Sequence, residues 1–300
     1  MRIRLVWLVG LVLCAIQAAA KERVLNVLLT NDDGIAAPGL VALHAALRGA
    51  GHRVTVVAPR EQQSGSGVRI TLGQIGVVAQ GEREWAIEGS PADAAAYGIQ
   101  RIMRDRPPDV VVSGANLGQN LGANVVSSGT VGAAVMAAQL GVPAIAVSVG
   151  LDLAEAQATP ERCPNTAAAY PRAAAVTVRL LATLARAAGE GPLLPPDTVV
   201  NLNYPGKPAS AVRGIVLAPL GRHGGFELSY PSDVVDGKTA STIAVDPDGV
   251  ADAGTDTALF ATDHVTVSVL RADWNARRKS TRAVAEALGD LSRLLAPSLP

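Results

Sequence analysis

Cysteine, aromatic side chains and surplus charge are all scarce in this 300-residue chain, and each shortage removes a class of protein. Two cysteines give no disulfide framework for a small stapled scaffold, and a chain of this length buries a full core without one. Aromatic residues at 3% argue against an aromatic-rich β-sandwich. Abundant Ala, Val, Gly and Leu instead suit close-packed helices on a Val-rich sheet, the α/β pattern. The 26 Lys and Arg balance 26 Asp and Glu, so there is no basic field for duplex nucleic acid. What is plentiful is apolar residues, 49% against 17% charged, which marks a globular chain and excludes a disordered one.

At the N-terminus, Arg2 and Arg4 precede an apolar run over residues 5–16, then Ala18-Ala19-Ala20 and Lys21-Glu22-Arg23. Basic, apolar and small residues in that order read as a signal peptide over residues 1–20, cleaved after Ala20. A membrane anchor would need ~20 apolar residues to cross a bilayer; this run is shorter and ends in small residues. Lipid attachment at Cys14 is a further alternative, opposed by the bulky Leu13 beside it. The expectation is an exported, periplasmic protein with no membrane attachment after cleavage. Losing Arg2 and Arg4 leaves 24 basic against 26 acidic residues, a formal charge of −2, with Cys163 as the remaining thiol. No intramolecular disulfide can then form, even in an oxidising compartment.

The rest of the expected mature chain, residues 21–300, alternates strand and helix. Residues 24–30 form a Val- and Leu-rich run that ends at Asn31-Asp32-Asp33-Gly34, a buried strand. Pro38 starts a helix with Leu40, Leu43 and Leu47 at helical spacing, closed by Gly49 or Gly51. Residues 53–58 make a second strand, so the unit is a right-handed parallel βαβ. The pattern continues with a helix over 91–103, a strand at 109–113, a helix at 130–140 and a strand at 144–148. A long helix over 166–188 and a strand at 198–203 complete it. The predicted fold is therefore α/β, a doubly wound, mainly parallel sheet between two helical layers. Residues 220–254 dissolve into Gly, Asp, Ser and Pro with short β-like pieces, before a strand at 264–270 and an amphipathic helix near 280–295. That irregular, β-rich C-terminal excursion is read as an interface or an active-site cover.

Ligands of an open parallel sheet bind beyond the carboxyl ends of its strands, which directs attention to three loops. The first presents adjacent carboxylates, Asp32 and Asp33. Neighbouring residues in a continuing strand point to opposite faces, so both can meet one ion only if the chain turns, as Gly34 permits. An Asx turn with solvated acids is the plainer alternative. The second loop, residues 59–67, brings Ser64, which could equally belong to a flexible Gly-Ser loop. The third begins Ser113-Gly114-Ala115-Asn116, where Asn116 could also be a turn cap. Together these hydroxyl, amide and carboxylate oxygens form a hard site suited to Mg2+ or Mn2+ rather than zinc. The third loop runs on through Asn120 to Ser128-Gly129-Thr130 at a helix start, an arrangement similar to an anion cradle of N–H groups and hydroxyls. Ser128 or Thr130 could also simply cap that helix. No Gly-Lys-[Ser/Thr] follows, so this is not a Walker loop. A nicotinamide fold is excluded because Asn-Asp-Asp-Gly stands where Gly-x-Gly-x-x-Gly is needed.

Four motifs, in this order and spacing, resemble the SurE family of survival-protein nucleotidases. They are Leu28 to Ile35 with Ala37-Pro38-Gly39, then Val57-Ala58-Pro59 with Ser64, then Val112-Ser113-Gly114-Ala115-Asn116-Leu117-Gly118-Gln119-Asn120-Leu121-Gly122, and Ser128-Gly129-Thr130-Val131. Weaker matches at Gly89-Ser90-Pro91-Ala92-Asp93, Asn201-Leu202-Asn203-Tyr204-Pro205, Gly254-Thr255-Asp256 and Val265-Thr266-Val267-Ser268 extend the resemblance over nearly the whole mature chain. The resemblance implies a Rossmann-like fold and one divalent cation per subunit, Mg2+ or Mn2+, held by Asp32, Asp33, Ser64 and Asn116. It implies hydrolysis of nucleoside 5′- and 3′-monophosphates, with short polyphosphate as a further substrate, and a homodimer or tetramer built through C-terminal elements.

In that reading Asp32 and Asp33 are the catalytic carboxylates, as nucleophile or as the group orienting the attacking water. Asn120, Ser128, Gly129 and Thr130 bind phosphate. His223, in Gly221-Arg222-His223-Gly224-Gly225, is a candidate general acid for the leaving alkoxide, against the alternative of an exposed loop histidine. Three positions depart from the family pattern: Ser127 where Tyr or His is usual, Asn124 where Asp is common, and Met136-Ala137 in place of Glu-Gly. They bear on substrate preference, and they keep two competing functions in view: nucleotide or phosphate binding without turnover, and a broad-specificity phosphatase or exopolyphosphatase.

Overall fold

The computed structural model describes residues 23–152, 155, 163–230, 234, 238–245, 252–276 and 278–288. The leader expected over 1–20 and the end of the helix expected over 280–295 lie outside the described residues, as does part of the 220–254 excursion.

The first half of the chain runs β1 (Asn26–Thr30), α1 (Pro38–Gly49), β2 (Arg53–Pro59), β3 (Val77–Gly81), β4 (Glu84–Ile87), α2 (Pro91–Tyr97), β5 (Val110–Leu117), α3 (Gly129–Gln139) and β6 (Ala144–Val149). The second half runs α4 (Pro164–Ala188), β7 (Thr198–Tyr204), β8 (Gly214–Leu217), β9 (Phe226–Ser229), β10 (Thr242–Val245), α5 (Asp256–Phe260), β11 (His264–Arg271) and α6 (Arg278–Leu288). Nine strands share one sheet in the order β3-β4-β2-β1-β5-β6-β7-β11-β8. The pairings are parallel except β3 with β4 and β7 with β11. β9 and β10 form a separate antiparallel pair inside the excursion.

Burial explains the central strands. Every residue of β1 and β6 is buried, because helices cover both faces, and the sequence there reads as a continuous apolar run. One face packs Val27, Leu29, Val112 and Ile145 against Leu40, Leu43 and Leu47 of α1 and Ala169, Ala173 and Leu181 of α4. The other packs Leu28, Val57, Val111 and Ala146 against Val131, Ala134 and Ala138 of α3. α3 is apolar on nearly every side, since the sheet lies under it and α2 beside it, with Met136 filling the seam among Ala92, Ala95 and Ala133. Among the described residues no helix is long and apolar enough to cross a membrane.

The sequence reading placed no strand at β3, β4 or β8. β3 and β8 are short and largely exposed at the two sheet edges, and β4 has four residues, so none carries a distinctive period. The expected helix over 91–103 is α-helical only to Tyr97 and widens into a π-helical turn, Gly98–Ile102. Gly98 packs so closely on Leu28 that a Cβ there would lie 2.7 Å from the leucine side chain.

The winding fixes where a ligand can sit. From β1 the chain goes outward through α1 to β2 and β4, then returns to β5 on the other side of β1. α1 leaves β1 toward one face, and α3 follows β5 on the opposite face. The loops after β1 and β5 therefore diverge and leave a crevice, the topological switch point of a doubly wound sheet.

Candidate metal and phosphate site

The β1 turn delivers its two acids into that crevice. Asn31 closes the turn by donating its amide to Gly34 O at 2.8 Å, with Gly34 at φ 98°. Asp32 is 2% exposed. Its Oδ1 accepts the Thr130 hydroxyl at 2.5 Å, and the N–H groups of Gly129 and Thr130 at the start of α3 also face its carboxylate. Burial nevertheless outweighs these bonds and raises its pKa. Asp33 accepts the Leu117 N–H at 2.8 Å. Burial first, and the neighbouring Asp32 second, push Asp33 up to about 7. Two adjacent carboxylates, one buried and one half-buried, that resist ionising together form a site short of positive charge.

β5 brings Asn116 to the same place. Its pairing with β6 slips by one residue between Ser113 and Asn116, an irregularity that alters the alternation of side chains just before the site. Asn116 is 7% exposed; its amide nitrogen donates to Gly118 O, while its Oδ1 is buried with no hydrogen-bond partner. The Leu117 N–H bond to Asp33 ties this strand end to the acidic turn. Two carboxylates and an orphaned amide oxygen fit a hard divalent cation, which would satisfy the oxygen and offset the acids. Among the described residues no group of three or more His, Cys, Asp or Glu converges, so an ion here would need neutral oxygens as well.

The β2 loop contributes through its backbone first: Gln63 N–H donates to Asp32 O at 2.7 Å. Ser64, one residue on, is exposed, and its hydroxyl accepts from Gln62 Nε2 at 2.9 Å. Ser66, which the sequence reading did not single out, lies deeper. Its hydroxyl oxygen is buried without a partner, and a Cβ on Gly129 would fall 2.7 Å from it and 2.9 Å from Asp32 Oδ2. Glycine at 129 is thus what lets α3 approach both. The repeated Gly-Ser of Ser64-Gly65-Ser66-Gly67 offered no basis for choosing between the serines.

The expected phosphate cradle divides into separate tasks. Ser128 caps α3, its hydroxyl accepting Val131 N–H at 3.1 Å, and Thr130 holds Asp32. Asn120 faces the core rather than solvent: its N–H donates to Asn203 Oδ1, its amide to Ser148 Oγ, and its carbonyl accepts from Asn201 and Asn203. The Asn201-Leu202-Asn203 motif therefore anchors the loop from beneath. Gly89-Ser90-Pro91-Ala92-Asp93 is a capping box, Ser90 Oγ accepting Asp93 N–H and Asp93 Oδ2 accepting Ser90 N–H.

His223 is exposed, and the segment around it lies on the cradle loop: a Cβ on Gly122 would come 2.2 Å from His223 O. Of the three departures, Met136 packs between α2 and α3, Ser127 is exposed with its hydroxyl on Asn124 O, and Asn124 donates to Phe226 O at 3.1 Å.

The chain is similar to known proteins over most of its length. Residues 27–225 match the family described as Survival protein SurE. The chain is 35% identical over 251 residues to the 5′-nucleotidase SurE of Methylocella silvestris, covering 83% of this chain and 94% of that protein. It is 38% identical over 253 residues to the 5′-nucleotidase SurE of Nitratidesulfovibrio vulgaris (Miyazaki F), covering 83% and 87%. Among solved structures it is similar to the SurE protein from Aquifex aeolicus, with a TM-score of 0.71 at 28% identity, over 88% of this chain and 100% of that one. On the strength of a matched span that contains both acids, Asn116 and the whole cradle loop, the chain belongs to the SurE family.

Proposed function

We propose that this protein is a divalent-metal-dependent 5′-nucleotidase, hydrolysing nucleoside 5′-monophosphates, and 3′-monophosphates with them, to nucleoside and phosphate. The observation that carries the reading is the pair Asp32, buried, and Asp33, half-buried, side by side at the switch point with the orphaned Asn116 Oδ1 on the neighbouring strand end. The substrate class is supported by the relatives named 5′-nucleotidase.

Asp32, Asp33, Asn116 and Ser64 are the residues that would hold Mg2+ or Mn2+, which when bound supplies positive charge against the phosphoryl oxygens. Thr130 and the α3 N-terminus fix the Asp32 carboxylate, and the Leu117 N–H fixes Asp33, so neither acid must reorient during reaction. The same helix N-terminus, with Ser128, Gly129 and Thr130, places partial positive charge at the crevice and favours an anionic group there. Asn120 holds the backbone of the loop that leads to them. In this reading His223, exposed on the segment that packs against the cradle loop, donates a proton to the leaving oxygen.

Phosphate release from AMP and GMP with Mg2+ or Mn2+, against a chelator control, tests the proposal. Release that requires the metal and disappears in Asp32→Ala is expected; nucleotide binding without release would assign a binding protein instead. The reading extends to export to the periplasm with Lys21 at the mature N-terminus, to a homodimer or tetramer, and to short polyphosphate as a further substrate. N-terminal sequencing, light scattering and phosphate release from tripolyphosphate test these three.

A further inference from the structure

Asp256 is fully buried, yet it belongs to α5, a helix of five residues remote in sequence from the crevice. Its two carboxylate oxygens divide between two loops. Oδ2 accepts Gly122 N–H at 3.0 Å, and Oδ1 accepts Gly221 N–H at 2.7 Å. Thr257 adds its own N–H to Oδ1 at 2.8 Å, and its hydroxyl lies 3.3 Å from the same oxygen. Gly122 opens the 3-10 turn Gly122–Val126, which runs from Asn120 toward Ser128. Gly221 opens the segment that carries His223.

These two stretches meet backbone to backbone. A Cβ on Gly122 would lie 2.2 Å from His223 O and 2.9 Å from Gly221 O, and one on Gly224 would lie 2.1 Å from Asn124 Cγ. Two more bonds close the seam: Asn124 Nδ2 to Phe226 O at 3.1 Å, and the Thr257 hydroxyl to His223 O at 2.7 Å.

We propose that Asp256 is a positioning residue that clamps the Gly122–Val126 turn and the 221–226 segment into one wall beside the phosphate-binding edge of the site. The proposal rests on the nucleotidase reading, which makes that edge phosphate-binding. Only a carboxylate does this at this volume. An amide offers one acceptor oxygen and turns its NH2 toward the other loop's N–H, so Asp256→Asn must release one of the two. None of the clamp's bonds involves Asp32, Asp33 or Asn116.

The test compares the full mature protein with Asp256→Asn in three measurements: amide hydrogen exchange of the metal-free protein, calorimetric titration with Mn2+, and steady-state hydrolysis of AMP. Expected are faster exchange in peptides covering 119–128 or 219–226 with unchanged exchange in β1 and β6, a KM raised about tenfold, the scale of one lost hydrogen bond to a charged group, and an unchanged Mn2+ affinity. Unchanged exchange in both segments, or a Mn2+ affinity that falls together with the AMP parameters, overturns the clamp. If the wild type releases no phosphate from AMP, the nucleotidase reading fails, and the exchange arm still decides the clamp by itself. Should Asp256→Asn not fold, Thr257→Val removes the hydroxyl from the same seam. Faster exchange that spreads from 219–226 to 119–128 then supports the clamp, and a change confined to 219–226, or none, overturns it.

Discussion

Two strand-to-helix turns carry a buried aspartate, and they have opposite electrostatic character. After β4, the Gly89-Ser90-Pro91-Ala92-Asp93 turn gives its acid a full set of donors: Thr71 N–H on Oδ1 at 3.0 Å and Ser90 N–H on Oδ2 at 2.8 Å. Burial alone would raise the Asp93 pKa, but the bonds from Thr71 and Ser90 together bring it below the ordinary value. After β1, Asp32 also has donors, the Thr130 hydroxyl and the N–H groups at the start of α3, but its burial outweighs them; Asp33 has the Leu117 N–H and lies beside Asp32, and both are raised, Asp33 to about 7. The contrast separates two uses of one residue type. A lone carboxylate whose donors outweigh its burial builds structure, whereas two adjacent carboxylates whose burial and mutual repulsion outweigh their donors, next to an orphaned amide oxygen, call for positive charge that the chain does not supply.

The sharpest way to break the comparison is to remove one acid from each turn. Asp32→Ala should lower kcat for AMP by at least about a hundredfold to a thousandfold, the scale of losing one preorganised electrostatic contact at a reacting group. Its thermal midpoint should hold or rise, because a buried like charge beside Asp33 has gone. Asp93→Ala should do the reverse, sparing the kinetic constants and lowering stability. Phosphate release and thermal unfolding of both variants check this, and a matching pattern in the two would erase the distinction.

A smaller effect is expected one layer out. Thr130→Val keeps shape but removes the hydroxyl from Asp32 Oδ1. Mn2+ affinity or turnover should fall about tenfold to a hundredfold, as for other groups that orient a ligating side chain. Calorimetric Mn2+ titration together with AMP kinetics measures it; wild-type values would mean that Asp32 needs no orienting partner.

The two serines of the β2 loop sharpen the same edge further. The proposed ligand set predicts that Ser64→Ala weakens Mn2+ binding about tenfold and that Ser66→Ala does so less. Ser66 is the more buried, with an unpartnered hydroxyl beside Gly129 and Asp32. The reverse order in a Mn2+ titration would move the ligand from Ser64 to Ser66.

How much of this the chain announces in advance depends on sequence distance. β1, α1, β2, β5 and β6 were legible because burial on both faces or on one helical stripe leaves an apolar run or a 3.6-residue period. Asp32, Asp33 and Asn116 were legible because loops after adjacent parallel strands must share one sheet edge. β3, β4 and β8 were not, being too short or too exposed to show a period. Nor could the sequence show that Asn120 turns inward, because its partners Asn201 and Asn203 lie more than eighty positions away. Asp256 is further still, 134 residues from Gly122. Such partners exist only once the sheet has formed.

The smallest effect concerns Asp93 itself, and its sign follows from the capping box. Its folded pKa lies below the ordinary carboxylate value near 3.8, so the ionised form is favoured in the native state more than in the unfolded chain. The contribution is complete above the unfolded value and is lost as pH falls from about 3.8 through the lower folded value. Replacing Asp93 by Ala should therefore cost about 1 kcal/mol near neutrality, the typical worth of a helix cap, and that difference should shrink as the pH is lowered through the acid range. Urea unfolding of the wild type and Asp93→Ala at pH 7, 5 and 3 measures it. A gap that stays constant down to pH 3 would show that Asp93 stabilises the turn by packing, without its charge, and would leave the β1 acids as the site where ionisation matters.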